Sequence, residues 1–113
     1  MTSSLVGSEM CIRDRCKYDG LYCLNDGIAL GILRGLADDG VSVPGDVRVI
    51  GFDGLSQSMY SVPTLTTVAT DFKGMADTAL TLLMRRIENL DDEFFPQTVN
   101  VGYKLIERES TAA

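Results

Sequence analysis

VRVIGFDG, residues Val47 to Gly54, is the stretch of sequence that decides the predicted fold. Its β-branched and aromatic residues predict a buried strand, and its Asp-Gly pair predicts a turn directly after that strand. Ligands of open α/β sheets bind outside the carboxyl ends of the strands. Asp53 is therefore placed to accept hydrogen bonds from a ligand, although the same residue type also serves simply to turn the chain.

A strand and a helix precede this stretch. Leu21 to Leu24 predict a buried strand, and Asn25-Asp26 predict a helix start, since either side chain can accept a hydrogen bond from the first turn. Apolar residues then recur at the helical period, and Gly40 predicts the end of the helix. The helical stripe consists of Ile28, Ala29, Ile32, Leu33 and Leu36.

The order strand, helix, strand predicts a right-handed βαβ unit, whose parallel strands end at the same edge of the sheet. We therefore expect Asn25 and Asp53 at one edge. The amide donates and accepts hydrogen bonds, whereas the carboxylate only accepts them. This pair suits vicinal hydroxyls, whereas a phosphate would need Arg, Lys or a glycine-rich loop.

Three glycines recur every fourth residue within the predicted helix, at Gly27, Gly31 and Gly35. Glycine is unfavourable inside a helix by up to about 1 kcal/mol relative to alanine. A smooth face that another backbone approaches closely would explain the pattern. The predicted neighbour is the sheet, with a dimer partner as the alternative.

Composition and periodicity predict the secondary-structure elements that follow Gly54. Leu55 to Ser61 predict one helical turn, and Pro63 to Val68 predict an extended segment. Asp71 to Leu90 predict an amphipathic helix with Asp71 as its N-cap. Thr98 to Ile106 alternate like a strand with one solvated side.

Length and composition exclude several classes. With 113 residues, 45% apolar and 23% charged, the chain is one globular domain at most. No apolar run approaches the roughly 20 residues that span a bilayer, so no membrane partner is expected. The net charge is -6 and the basic residues are scattered, which predicts no nucleic-acid binding by this piece alone.

Chemistry-bearing motifs are absent from the sequence. The chain contains no histidine, no dinucleotide or nucleotide phosphate loop and no EF-hand loop, so we expect neither catalysis nor a cofactor. The odd number of cysteines, Cys11, Cys16 and Cys23, argues against a disulfide framework and indicates a reducing compartment. A zinc site would lack any CxxC pair, and no metal is expected.

The runs Leu24 to Gly54, Pro63 to Ile87 and Leu105 to Ala113 resemble the C-terminal part of the LacI/GalR family of bacterial transcriptional regulators. The resemblance covers about Asp19 to Thr111 with its order and spacing kept. Its strongest elements are Asn25-Asp26, Val43 to Val47, Gly51-Phe52-Asp53, Leu65 to Val68 and Arg108 to Thr111.

The resemblance implies an α/β, parallel-sheet, three-layer periplasmic-binding-protein-like fold that is incomplete: mainly the C-terminal subdomain plus one crossover helix. Residues 16–113 would be the C-terminal part of the effector-binding sensor domain, without the DNA-binding domain. Residues 16 to 68 would belong to the C-terminal subdomain and the helix from 72 to 90 to the other, with crossovers near Thr70 and Gln97.

The resemblance also implies which residues contact an effector and which form a dimer interface. Asn25, Asp53, Phe72 and Met75 would contact a small effector such as a sugar, and the homodimer interface would include Leu30, Tyr60 and Ser61. The full-length form would be a cytoplasmic homodimeric repressor that binds DNA only through its N-terminal domain. The alternative is a periplasmic sugar-binding protein of a transport system.

The predicted domain is incomplete, which affects both the N-terminal residues and the crossover helix. Residues 1–15 show no continuing periodicity, and Ser4 to Arg15 resemble translated adapter sequence, so we interpret them as a non-native or unstructured tail and expect the natural protein to begin upstream. The crossover helix would lack its own sheet, which would expose its apolar stripe and make the chain prone to aggregation or only marginally stable. That stripe is Met75, Leu82, Leu83 and Ile87.

Overall fold

The structure is a computed structural model that describes residues 18–113. The interpretation of residues 1–15 as a tail, and the cysteines at positions 11 and 16, lie outside the described residues. The described residues divide into two compact units, 18–69 with Leu105–Ala113 and Thr70–Lys104. The first boundary agrees with the crossover predicted near Thr70, whereas the second falls after Lys104, later than predicted.

The chain contains a four-stranded sheet of order β1-β2-β3-β4, most of whose residues belong to the first unit. The strands are β1 (Gly20–Tyr22), β2 (Arg48–Asp53), β3 (Thr66–Thr70) and β4 (Tyr103–Ile106), with helix α1 (Asp26–Asp38) and 3-10 turns at Ser56–Met59 and Glu109–Thr111. β1 pairs with β2 and β2 with β3, both in parallel. The predicted α/β class with a parallel sheet is thus confirmed.

Helix α1 covers the sheet with its apolar stripe. Ala29, Ile32, Leu33 and Leu36 are buried and form one core with residues of the strands and their flanks, which are Cys23, Val47, Val49 and Leu65. The helix ends as predicted at glycine: Gly40 has φ 73°, a left-handed conformation that glycine adopts without steric conflict.

The expected packing of the glycine stripe against the sheet is wrong. Gly27 and Gly31 are exposed, and Gly35 is half-buried. The helix instead turns the side that carries Ala29 and Ile32 toward the sheet, because burying branched side chains removes more apolar surface from water than burying glycine does. The dimer alternative for this face is not tested by the fold.

The C-terminal segment Arg108 to Thr111 ties β2 to β3. The buried Ser110 hydroxyl donates to the Val49 carbonyl at 2.6 Å and accepts from the Thr66 amide at 2.8 Å. The Arg108 guanidinium donates to the Leu65 carbonyl at 2.9 Å. Buried polar groups need such partners, so side-chain hydrogen bonds from this segment link β2 and β3.

The second unit consists of helix α2 (Phe72–Glu88) and the segment that follows it. The Asp71 side chain caps the helix by accepting from the Gly74 amide at 2.9 Å, as predicted. No residue of α2 is buried, and Leu83 and Ile87 are 53% and 52% exposed. The expected exposure of the apolar stripe is confirmed for these residues and for Met75, whereas Leu82 is half-buried.

The strand predicted from Thr98 is shorter than expected. β4 begins only at Tyr103, because Gly102 has φ 86° and interrupts the extended conformation. Within the described part of the chain, none of the helices is both long and apolar enough to cross a membrane.

Candidate ligand-binding site

Asn25 lies just beyond the carboxyl end of β1 and is the N-cap of α1. Its backbone is extended, and its side-chain oxygen accepts a hydrogen bond from the Ile28 amide at 2.8 Å. The sequence left open which of Asn25 and Asp26 caps the helix, and the structure assigns the cap to Asn25. Because the oxygen is engaged, Asn25 presents mainly its two amide N–H donors to a ligand.

Asp53 is the last residue of β2 and is half-buried. Its φ of 113° is far outside the regions that residues with a side chain normally adopt, and such strain amounts to about 1–3 kcal/mol. Within the described part of the chain, its carboxylate takes part in no hydrogen bond or ion pair. Strained residues of this kind cluster at functional sites, and the effector contact predicted for Asp53 stays a prediction.

The parallel pairing brings the two candidates to one edge. Tyr22 of β1 is in register with Ile50 of β2, and the Cys23 amide donates to the Ile50 carbonyl at 2.9 Å. Asn25 thus lies just after the carboxyl end of β1 and Asp53 at the carboxyl end of the neighbouring β2, at one edge as predicted, and neither is fully buried. Donors on Asn25 and acceptors on Asp53 at one rim match the needs of vicinal hydroxyls.

Asp26 has a different role from its neighbour and was not predicted as part of the site. It is 0% exposed; one carboxylate oxygen accepts from the Thr67 hydroxyl at 2.7 Å and the other from the Leu55 amide at 2.7 Å. Thr67 in turn accepts from the Gly54 amide at 3.2 Å. The sequence signal was the pair Thr66-Thr67 within a buried strand, since a buried hydroxyl requires a partner.

Two glycines make room for this arrangement. A side chain at Gly51 would overlap the Asp26 carboxylate and approach Leu65 to 3.0 Å. A side chain at Gly54, whose φ is 80°, would lie 2.7 Å from the Cβ atom of Ala69 on β3. The glycines on either side of Phe52-Asp53 are therefore required by close packing beneath the candidate site.

Cys23 lies between β1 and the candidate site, where it is buried as a free thiol. Burial, together with the negative charge of Asp26, raises the pKa of Cys23 from 9.0 to about 11. A thiol with so high a pKa is a poor nucleophile at neutral pH, so Cys23 belongs to the core.

Phe72 and Met75 lie in the first turn of α2, in the second unit, and are 49% and 44% exposed. Asn25 and Asp53 belong to the first unit. The two pairs thus belong to different units, and the effector contacts of Phe72 and Met75 stay a prediction.

The three residues predicted at a dimer interface differ in exposure. Tyr60 is 79% exposed, whereas Leu30 is half-buried and packs on the core. The Ser61 hydroxyl donates to the Pro63 carbonyl at 2.8 Å, within its own loop. Tyr60 is the member of this set with the most surface to offer a partner.

Among the described residues, no group of three or more His, Cys, Asp or Glu side chains is arranged to hold a metal ion. A cavity of about 330 Å³ lies within the second unit beside Arg85, Arg86 and Phe94. It contains none of the predicted site residues.

The fold defines part of an α/β domain of the periplasmic-binding-protein type. The family described as periplasmic binding protein-like domain matches residues 5–111, and the chain belongs to that family. The resemblance to LacI/GalR family regulators is confirmed by its relatives, beginning with the HTH-type transcriptional repressor PurR of Actinobacillus pleuropneumoniae, which is 34% identical over 90 residues. That alignment covers 80% of this chain and 27% of the repressor, so the chain spans about a quarter of its relative's length.

Solved structures agree with this assignment. A LacI family regulator from Sanguibacter keddieii is 34% identical with a TM-score of 0.89, covering 94% of this chain and 40% of the regulator. A LacI family regulator from Enterococcus faecalis V583, solved with bound ribose, is 36% identical with a TM-score of 0.78 over the same shares. The described chain thus has the fold of part of such effector domains.

Proposed function

We propose that this chain is the ligand-sensing part of a DNA-binding transcriptional regulator that responds to a small effector, a sugar or related polyol. The observation that carries the proposal is the sheet edge at which Asn25 presents donors and the strained Asp53 presents a carboxylate without a partner among residues 18–113. The ribose bound to the Enterococcus faecalis regulator supports the choice of a sugar.

In this proposal the Asp53 carboxylate accepts hydrogen bonds from two neighbouring hydroxyls of the effector, and the Asn25 amide donates to one of them. Charge-assisted hydrogen bonds are the stronger kind, so Asp53 supplies the larger share of polar affinity. Phe72 and Met75 remain predicted apolar contacts. The proposed function involves no catalytic step.

The complete regulator would be a cytoplasmic homodimer with Leu30, Tyr60 and Ser61 at its interface, and it would bind DNA through an N-terminal domain. Effector binding would change operator affinity by favouring one of two conformations, as linkage requires. The transport alternative has no relative in its favour among those described above, which are transcriptional regulators.

The sequence upstream of this reading frame gives the first test. A helix-turn-helix domain there supports the regulator, whereas a signal peptide would support a periplasmic transport protein and contradict the proposal.

The second test uses the complete regulator with operator DNA selected from a random library and D-ribose as the probe. Asp53→Ala should abolish the effect of ribose on operator affinity, measured by fluorescence anisotropy, and leave affinity without ribose unchanged. Asp39→Ala, which removes an exposed carboxylate at the end of α1, is the matched control. A full ribose response from the Asp53→Ala variant would contradict the assignment.

A further inference from the structure

We propose that Asp26 is a positioning residue that fixes the spacing between Asn25 and Asp53, with Thr67 as its partner. The inference rests on the proposed function, because it assigns the groups that hold the two ligand contacts in place. It concerns the first unit alone, in which all of these residues lie.

Asp26 is attached to both halves of the site. It follows Asn25 directly in the chain, so holding Asp26 in place restrains the backbone that carries the Asn25 amide. Its second oxygen accepts from the Leu55 amide at 2.7 Å, two residues beyond Asp53. One buried side chain therefore connects the start of α1 to the turn after β2, across 29 positions of sequence.

Thr67 closes the same turn from the neighbouring strand. Its hydroxyl donates to Asp26 at 2.7 Å and accepts from the Gly54 amide at 3.2 Å. The two amides that follow Asp53 are thus both held by this pair. Ser or Thr at position 67 can make both hydrogen bonds, whereas Val, which has nearly the same shape as Thr, can make neither.

The turn needs this support because its backbone is strained. Asp53 has φ 113° and Gly54 has φ 80°, so two successive residues leave the β region. A residue with a side chain keeps such a conformation only where its surroundings enforce it. In this turn, the hydrogen bonds from the Gly54 amide to Thr67 and from the Leu55 amide to Asp26 hold the backbone of Asp53 and Gly54 in its strained conformation.

Asp26 itself is unsuited to ligand contact. It is 0% exposed, and both of its oxygens are engaged by donors of the protein. Asp53, half-buried and unengaged within the described residues, is the acid that reaches the ligand. The two acids at this edge therefore have different roles. Asp26 positions the start of α1 and the turn after β2, and Asp53 contacts the effector.

The unmodified chain provides a first test by amide hydrogen exchange in NMR. The Leu55 amide should be protected although Leu55 is 37% exposed, and the Gly54 amide should be protected as well. The HN–Hα coupling of Asp53 should be small, as φ 113° requires, and not the large coupling of an extended residue. Unprotected amides at Gly54 and Leu55 would overturn the proposal without any variant.

Substitutions of Thr67 provide the second test. Thr67→Val should accelerate exchange at Gly54 and Leu55 about tenfold relative to the amides of α1, because a buried hydrogen bond is lost. Thr67→Ser should retain protection, and Thr70→Val, a change of the same size on β3, should leave the turn unaffected. Equal acceleration throughout α1 and the turn would mean that Thr67 only stabilises the unit, and would overturn the proposal.

Titration of the same samples with D-ribose separates this inference from the proposed function. Where the unmodified chain binds ribose, Thr67→Val should weaken binding severalfold and Thr67→Ser should not. Unchanged ribose affinity in Thr67→Val despite a loosened turn would overturn the positioning role. Absence of ribose binding by the unmodified chain counts against the proposed function, and the exchange pattern then decides the positioning inference by itself.

Discussion

The carboxylate of Asp26 accepts a hydrogen bond from the Thr67 hydroxyl at 2.7 Å, although 41 positions separate the two residues in sequence. Both side chains are 0% exposed. The bond joins the first turn of α1 to the third strand, directly beneath the edge at which Asn25 and Asp53 lie. The candidate site therefore rests on a buried polar contact between distant parts of the chain.

Gly51→Ala should destabilise the first unit by about 1–3 kcal/mol, because overpacking a close contact forces its neighbours to move. The new methyl group would overlap the Asp26 carboxylate and lie 3.0 Å from Leu65. Urea denaturation followed by circular dichroism measures the change. Gly20→Ala is the control, since its methyl group would meet the Arg48 carbonyl at an ordinary 3.7 Å. Equal stability of the two variants would contradict the predicted packing conflict.

Ser110→Ala should reduce the free energy of unfolding by about 1–3 kcal/mol, because it leaves a buried donor and a buried acceptor without partners. Those groups are the Thr66 amide and the Val49 carbonyl. Ser56→Ala, which removes an exposed hydroxyl bonded at 3.4 Å to Gln57, should change little in the same urea experiment. If neither substitution changes the free energy of unfolding, the C-terminal segment does not tie β2 to β3.

Stability should fall as the pH rises from about 9 toward about 11 because of Cys23. The pKa of this thiol is 9.0 in the unfolded chain and about 11 in the folded one. Between these values the unfolded state releases the proton and the folded state keeps it, so stability decreases with pH. Urea denaturation at a series of alkaline pH values measures this slope. Cys23→Ala should flatten it, and an unchanged slope would show that the thiol is not its source.

Leu83→Gln combined with Ile87→Gln should lower self-association of the chain without weakening the first unit. Both side chains are about half exposed on α2, where they offer apolar surface to other molecules. Sedimentation velocity measures the association state. Thr81→Gln with Glu88→Gln changes two exposed polar residues of the same helix and serves as control. Equal self-association in both double variants would show that this stripe is not responsible.

Local sequence patterns predicted most of the elements because their causes are local. The apolar spacing from Ala29 to Leu36 produces α1, and the β-branched run at Val47 to Ile50 produces β2. The strand predicted from Thr98 failed at Gly102, whose left-handed backbone could not be read from alternation alone. The glycine stripe was assigned to the wrong face because periodicity locates a face without stating what it packs against.

The sequence alone determined the βαβ order and therefore the shared edge of Asn25 and Asp53, since connection rules require parallel strands to end together. Only the tertiary structure decided that Asn25 caps the helix while its neighbour Asp26 is buried against Thr67. The physical reason is that both residue types satisfy a helix cap equally well in isolation. The choice between them depends on hydrogen-bond donors that arrive from Leu55 and Thr67, far along the chain.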